Sequence, residues 1–174
     1  NGRTIWRIPV MEGEFIIEDT FGVVKGVAGG NILILAESLD SGLEAAERAV
    51  KAIRENCRHV ITPFPGGIVR SGSKVGSIKY PKLRATTNHY YCPTIRDIVE
   101  ETKIPENVNC VYEIVINGLN LKSVALAMGV AAIEASKVPG IVKIDAGNYG
   151  GSLGPYKIYL KDAIKLALEK GFNP

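Results

Sequence analysis

Apolar residues recur along this chain with two different periods, and the switches between them outline its elements. The run Val111-Tyr112-Glu113-Ile114-Val115-Ile116-Asn117-Gly118 is β-branched and aromatic and stops at Asn-Gly, which predicts a strand. Thr4 to Val10, Glu14 to Glu18 and Ile32 to Leu35 read as strands too, the last one buried, with Gly22, Gly26, Gly29 and Gly30 marking a turn-rich stretch before it. Leu43, Ala46, Ala49, Val50 and Ile53 fall instead at helical spacing, so a helix is expected to run to about Asn56. Asp40-Ser41 is its expected N-cap, with Glu44 placed after Ser41 as a capping box requires. A strand from His59 to Thr62 follows and stops at Pro63-Phe64-Pro65-Gly66-Gly67.

The second half repeats that order. After Asn117-Gly118-Leu119-Asn120 comes a helix with Val124, Met128, Ala131, Ala132 and Ala135 on one side, ended by Pro139-Gly140. Ile141 to Ile144 forms a strand that meets Gly147-Asn148-Tyr149-Gly150-Gly151. Lys157 to Leu160 predicts a further strand, and Ala163 to Leu168 a short closing helix. Two strand–helix–strand units imply an α+β fold, a ferredoxin-like split βαβ sandwich with an antiparallel sheet and helices on one face. Residues 1–174 are expected to form a single such lobe.

Glu113 breaks this apolar pattern. Side chains alternate across a strand, so Val111, Glu113, Val115 and Asn117 share one face. A carboxylate between valines is desolvated if that face is covered, and desolvation favours its neutral, hydrogen-bond-donating form. Two other readings stand beside the catalytic one. An inward charge can protect an edge strand, and a strand Glu can pair with a Lys across the sheet. Which sheet face carries Glu113 is left open.

The long region from Ile68 to Asn107 holds "PFPGGIVRSGSKVGS" and "TTNHYYCPT". Its aromatic residues and Pro93 favour an ordered, functional segment. Arg70 and Lys74 flank Ser71 and Ser73 and can hold carboxylate or phosphate groups, or can simply be solvated. Gly66-Gly67 and Gly150-Gly151 allow tight turns or close approach of a ligand to peptide N–H groups. The glycines form neither a dinucleotide-binding nor a P-loop pattern.

Composition narrows the chemistry. The net charge of +3 comes without a basic run or alternating aromatic platform, which argues against nucleic acid and is compatible with small anionic ligands. Cys57, Cys92 and Cys110 are odd in number and form no C-x-x-C pair, so a reducing compartment is expected and disulfides are not. His59 and His89 are the only histidines, so no metal site is expected. A Cys92 nucleophile with a His89 base lacks a third orienting group. No membrane span and no signal peptide are expected. The first residue is Asn1, not Met, so a fragment or processed piece is expected.

Several strings coincide in one family. "EGEFIIEDTFG", "GVAGGN", "PFPGGIVRSGSKVGS", "YCPT", "VYEIVINGLN" and "AGNYGGSLG" look like the C-terminal, distal lobe of formylmethanofuran:tetrahydromethanopterin formyltransferase. The resemblance runs from about Gly2 to Leu160 and leaves out the tail from Leu166 to Pro174. It implies a cytoplasmic enzyme of archaeal one-carbon metabolism, including methanogenesis, that moves a formyl group from methanofuran to N5 of tetrahydromethanopterin. It implies no metal or prosthetic group, the two coenzymes being substrates. It implies a homo-oligomer, commonly a tetramer, of two ferredoxin-like lobes, with no nucleic-acid or membrane partner. The family's catalytic glutamate corresponds to Glu113. For substrate binding, Pro65, Gly66, Gly67, Arg70, Ser71, Ser73 and Lys74 are the stronger expectations, and Asn88, Tyr91, Asn117 and Asn148 the weaker. The alternative is a non-catalytic scaffold or assembly lobe, or a subunit of a formyltransferase/hydrolase complex. Activity without an N-terminal lobe is left open.

Overall fold

A computed structural model describes residues 2–70, 89–147 and 155–174. In chain order the elements are β1 (Ile5–Val10), β2 (Gly13–Glu18), β3 (Val27–Ala36), α1 (Leu39–Asn56), β4 (Val60–Ile61), β5 (Val69–Arg70), β6 (Cys110–Gly118), α2 (Leu121–Ser136), β7 (Ile141–Asp145) and α3 (Leu160–Leu168). Strands β1 and β2 form a separate antiparallel hairpin.

The main sheet has the order β4-β6-β3-β7, with β5 also pairing to β6, and every pairing is antiparallel. The chain leaves β3, runs through α1 and returns at β4, with β6 seated between the two strands. It leaves β6, runs through α2 and returns at β7, with β3 seated between. This is the split βαβ sandwich expected from the repeated sequence order.

Both long helices lie on one face of the sheet. Ile32 and Ile34 of β3 and Tyr112, Ile114 and Ile116 of β6 bury themselves there against α1 and α2. The helices meet the sheet largely through alanines, with Ala45, Ala46 and Ala49 from α1 and Ala127, Ala131 and Ala135 from α2. Helix α3 adds Ala163 to this core. On the opposite face, Leu33, Leu35 and Val111 are covered by Tyr91, Ile104 and Val108. Burial of β3 on both sides explains its unbroken apolar run, since neither face had to stay polar.

Three local expectations are corrected. Helix α1 is capped by Ser38, whose hydroxyl accepts the Ser41 N–H at 3.2 Å, so the helix starts before the proposed Asp40-Ser41 cap. Gly29 and Gly30 belong to β3 and not to a turn. Gly29 takes φ +85° at a register shift, a backbone state that favours glycine, and a side chain at Gly30 would lie 2.4 Å from Val124, so Gly30 must be small to let α2 sit close. Lys157 to Leu160 makes no strand. Leu160, Ala163, Ile164 and Ala167 repeat at helical spacing, and α3 starts at Leu160 to pack that stripe on α2.

Candidate functional site

Strand parity assembles the candidate site on the helix-free face. Register pairs Glu113 of β6 with Leu33 of β3 on one side and Val69 of β5 on the other, and Leu33 in turn with Asp145 of β7. One row across the sheet is therefore Val69, Glu113, Leu33 and Asp145. The adjacent row pairs Val115 with Asn31, and the next pairs Asn117 with Ile61. Glu113 thus lies opposite the helices, partly buried, beyond the apolar cap formed by Tyr91, Ile104 and Val108.

Asn31 is the diagonal neighbour of Glu113, and it is buried. Its Nδ2 donates to Glu113 Oε1 at 2.9 Å, and its Oδ1 accepts the Gly147 N–H at 3.0 Å. One amide therefore joins β6 to the residues just after β7, across β3.

Asp145 anchors the far end of the row. It accepts the Tyr91 hydroxyl at 2.7 Å, Lys143 Nζ at 2.9 Å and the Ala146 N–H at 2.9 Å. Burial pushes this carboxyl up, but the donors from Lys143, Tyr91 and Ala146 outweigh it and hold it below the usual carboxylate range. Tyr91 is pushed well above the usual tyrosine range, first by burial and then by the bond to Asp145 and its charge. Lys103 Nζ stands 5.5 Å from the Tyr91 ring centre, and its own backbone N–H ties that segment to Tyr90 O at 2.8 Å.

The other expected site residues scatter. Pro65, Gly66 and Gly67 form a tight turn with φ +70° at Gly66 and +86° at Gly67. The Gly67 N–H closes that turn onto Phe64 O at 2.8 Å, and a side chain there would meet Val50 of α1 at 2.9 Å. Gly66 lines a shallow cleft with Glu47, Lys51 and Arg54 of α1. Arg70 pairs with Tyr112, so alternation sends it to the helix side, away from Glu113. There its charge pulls the Cys110 thiol down, against a larger upward push from burial. Tyr91 is a buried anchor, as above. Asn117 Oδ1 accepts the Gly29 N–H at 2.9 Å and lines an apolar cleft of about 410 Å³ with Val24, His59 and Ile61. Ser71, Ser73, Lys74, Asn88, Asn148 and the Gly150-Gly151 pair lie outside the described residues. The structure thus brings Glu113 and Asn117 to one face and takes the Pro65–Gly67 turn and Arg70 to the other side.

Cys92 Sγ lies 3.3 Å from Thr94 Oγ1, and the His89 ring stacks on Tyr90 with centres 4.0 Å apart. Among the described residues, no group of three or more His, Cys, Asp or Glu is placed to hold a metal ion. Asn31, Lys143 and Asp145 were missed by the sequence reading. Parity offered a signal: Asn31 shares a face with Leu33 and Leu35 ahead of an apolar run, and Asp145 closes one.

The fold and this face define a ferredoxin-like lobe that presents a carboxyl–amide pair on the open side of its sheet, an arrangement suited to acid-assisted transfer chemistry. The chain belongs to the FTR family, whose model described as "FTR, proximal lobe" matches residues 13–163. That match corrects the expectation of a C-terminal, distal lobe. A lobe's place is a relation to the rest of an assembly, and strings inside one lobe do not carry it.

The chain is 57% identical to the formylmethanofuran–tetrahydromethanopterin formyltransferase of Methanopyrus kandleri, over 93% of this chain and 53% of that protein. The corresponding enzyme of Archaeoglobus fulgidus is 56% identical over 92% of this chain and 54% of its own length. The structure of the Methanosarcina barkeri formyltransferase superposes with a TM-score of 0.73 at 50% identity, covering 93% of this chain and 54% of that one. A chain of the formyltransferase/hydrolase complex from Methylorubrum extorquens, solved with methylofuran, gives 0.70 at 42% identity, covering 93% and 53%. The chain spans about half the length of the curated relatives it matches.

Proposed function

We propose that this lobe is part of an enzyme that transfers a formyl group from formylmethanofuran to N5 of tetrahydromethanopterin, with Glu113 as its acid. The observation that carries this reading is the placement of Glu113, partly buried on the helix-free face with a buried amide bound to one of its oxygens. Relatives that share more than half of the aligned sequence are named for this reaction.

In the proposed chemistry the pterin N5 lone pair attacks the formyl carbon. The new N–C bond forms as the carbonyl π pair moves onto oxygen. Neutral Glu113 hydrogen-bonds that developing oxyanion, as a preorganised donor does most usefully where charge appears. Collapse of the intermediate restores the carbonyl and breaks the bond to the methanofuran nitrogen. The proton lost from N5 balances the one gained by the leaving amine. No covalent nucleophile takes part, and the coenzymes come and go as substrates with no resident prosthetic group. Closing the face against water protects the intermediate from hydrolysis.

The binding part of the proposal keeps Asn117 beside Glu113. It keeps Pro65, Gly66 and Gly67, with Ser71, Ser73, Asn88 and Asn148, as substrate contacts, and Arg70 or Lys74 to meet the anionic tails. Tyr91 belongs to the segment that covers part of this face. A cytoplasmic location and a homo-oligomeric state belong to the same proposal. Glu113→Gln in the complete enzyme is expected to lower kcat by about 10²- to 10³-fold while KM for both coenzymes holds. Turnover near wild type ends the assignment.

An assembly role is the second reading, favoured by the exposed apolar residues of the β1–β2 hairpin. Mixing the purified lobe with both coenzymes and following formyl transfer separates the two.

A further inference from the structure

The end of β6 opens onto the cleft of about 410 Å³ already described, a size that suits a small molecule. Val24, Ala28, Ile61 and Leu119 give it aliphatic walls, of which Val24 is 73% exposed, Ile61 63% and Leu119 50%. None of the described residues lining it is a lysine, arginine, aspartate or glutamate. Its polar side chains are Asn117 and His59. Local backbone fixes both. The β3–β6 register jumps from Val27–Gly118 to Gly30–Ile116, so Ala28 and Gly29 together stand opposite Asn117. The Gly29 N–H at this bulge donates to Asn117 Oδ1 at 2.9 Å. A backbone N–H can only donate, so the amide oxygen is taken and the NH2 group is the end left to serve the cleft. His59 has φ +65° and is the one non-glycine residue in the left-handed region among those described. The Leu119 N–H holds its carbonyl there at 2.9 Å. Glycine takes that backbone state without strain, so the fold alone gives no reason for an imidazole at this rim.

We propose that this cleft is a subsite for an uncharged aromatic ring of one of the two coenzymes, with the Asn117 NH2 group donating to an acceptor on the ring's edge and the His59 imidazole stacking on its face. This rests on the formyl transfer proposed above. Elimination sets the chemical class. The reacting atoms belong at Glu113, which shares a face with Asn117 but stands four residues, ~13 Å, away along β6. The anionic tails need a cation, and no lysine or arginine among the described residues lines the cleft. What is left of a long substrate is its uncharged middle.

The walls favour apolar contact, and an imidazole packs better on a flat ring than on a saturated chain. The lone amide donor then selects a ring that carries an oxygen or nitrogen acceptor. A group held here takes no part in the chemistry. It restricts where the reacting end of the same molecule can lie along the sheet, which is how remote binding serves orientation.

The test uses the complete enzyme with 13C-labelled methyl groups, followed by NMR. The probes are each coenzyme and N,N-dimethylbenzamide, a flat ring bearing one carbonyl acceptor. N,N-dimethylcyclohexanecarboxamide, with the same acceptor on a saturated ring, is the control. The Ile61 and Leu119 methyls are expected to shift with the aromatic amide and with one coenzyme, and the saturated amide to bind about 3- to 10-fold more weakly than the aromatic one. Asn117→Asp keeps an oxygen for the Gly29 N–H and turns the donating end into an acceptor. It should fold as wild type, bind the aromatic amide about tenfold more weakly and raise the KM of that coenzyme about tenfold, with kcat within about twofold. His59→Gly suits the local φ, so its unfolding midpoint should hold or rise, while affinity for the aromatic amide falls about 3- to 10-fold and that for the saturated amide holds. Ile61 and Leu119 methyls that answer to no probe overturn the proposal, as do unchanged KM values for both coenzymes in both variants. Methyl shifts that follow protein concentration alone mean that a second copy fills the cleft, and overturn it too. If the wild-type enzyme passes no formyl group between the coenzymes, the formyl-transfer reading falls, whatever the methyls do. If it does and the cleft stays silent, the subsite alone is overturned.

Discussion

Tyr91 and Asp145 hold the covering segment to the sheet, and their opposite shifts give that contact a pH window. Asp145 is depressed in the folded state, so its contribution is present above the usual carboxylate value of about 3.9 and is lost as pH falls through the folded value. Tyr91 is raised, so its contribution is whole below the usual tyrosine value of about 10 and is lost as pH rises through the folded value. Tyr91→Phe removes one donor from Asp145 and should cost about 1.5–3 kcal/mol near neutrality, the range for a hydrogen bond to a charged group. It also brings Asp145 back toward its ordinary value, so acid loss of stability should begin at higher pH than in wild type. Urea midpoints measured between pH 2 and 7 check both statements, and superimposable curves for the two proteins would refute them.

Helix packing depends on missing side chains as much as on present ones. Gly129 of α2 faces α3 so closely that a Cβ there would lie 2.0 Å from Ala163 O and 3.0 Å from the Ala167 side chain. Backbone cannot yield as a flexible side chain does, so Gly129→Leu should push α3 off α2. Overpacking of this kind costs about 1–3 kcal/mol. The chevron or urea midpoint should fall accordingly, while Glu113 and its sheet neighbours, on the opposite side, stay in register. A variant as stable as wild type would show that α3 does not dock here in solution. The same contact explains why Lys157 to Leu160 is not a strand. Its alternation is short, and Leu160 begins a longer stripe that α2 can bury.

The lobe as a whole leaves one face unsatisfied. In the hairpin, Trp6 pairs with Ile17 and Ile8 with Phe15, so these side chains share a face. Trp6 is 59% exposed and Phe15 54%. A two-stranded hairpin is marginal alone, and an apolar one is normally covered. Arg3–Glu18 and Arg7–Glu14 pairs lie on its other side and fix its register without burying it. The double variant Trp6→Glu and Phe15→Glu should therefore lower the mass measured by sedimentation velocity. The main-sheet core should keep its unfolding midpoint, because the hairpin belongs to a separate sheet. An unchanged mass would mean that assembly runs through another surface. No helix among the described residues is long and apolar enough to cross a membrane.

The order of strands and helices, the two-unit repeat and the shared parity of Glu113, Val115 and Asn117 were readable from residues alone. Each of these is a local periodicity, set by how side chains point along a few consecutive residues. The long aromatic segment was also rightly taken as ordered over its described part, since Tyr91 and Ile104 join a buried core there.

What decided the site was contact between residues far apart in the chain. Asn31 and Glu113 are 82 positions apart, Asn31 and Gly147 are 116, and Tyr91 and Asp145 are 54. No window of sequence holds both members of any of these pairs. Only the folded sheet put Glu113 opposite the helices and gave it an amide, and only it turned Arg70 to the other side, because register between strands is set by packing across the whole core.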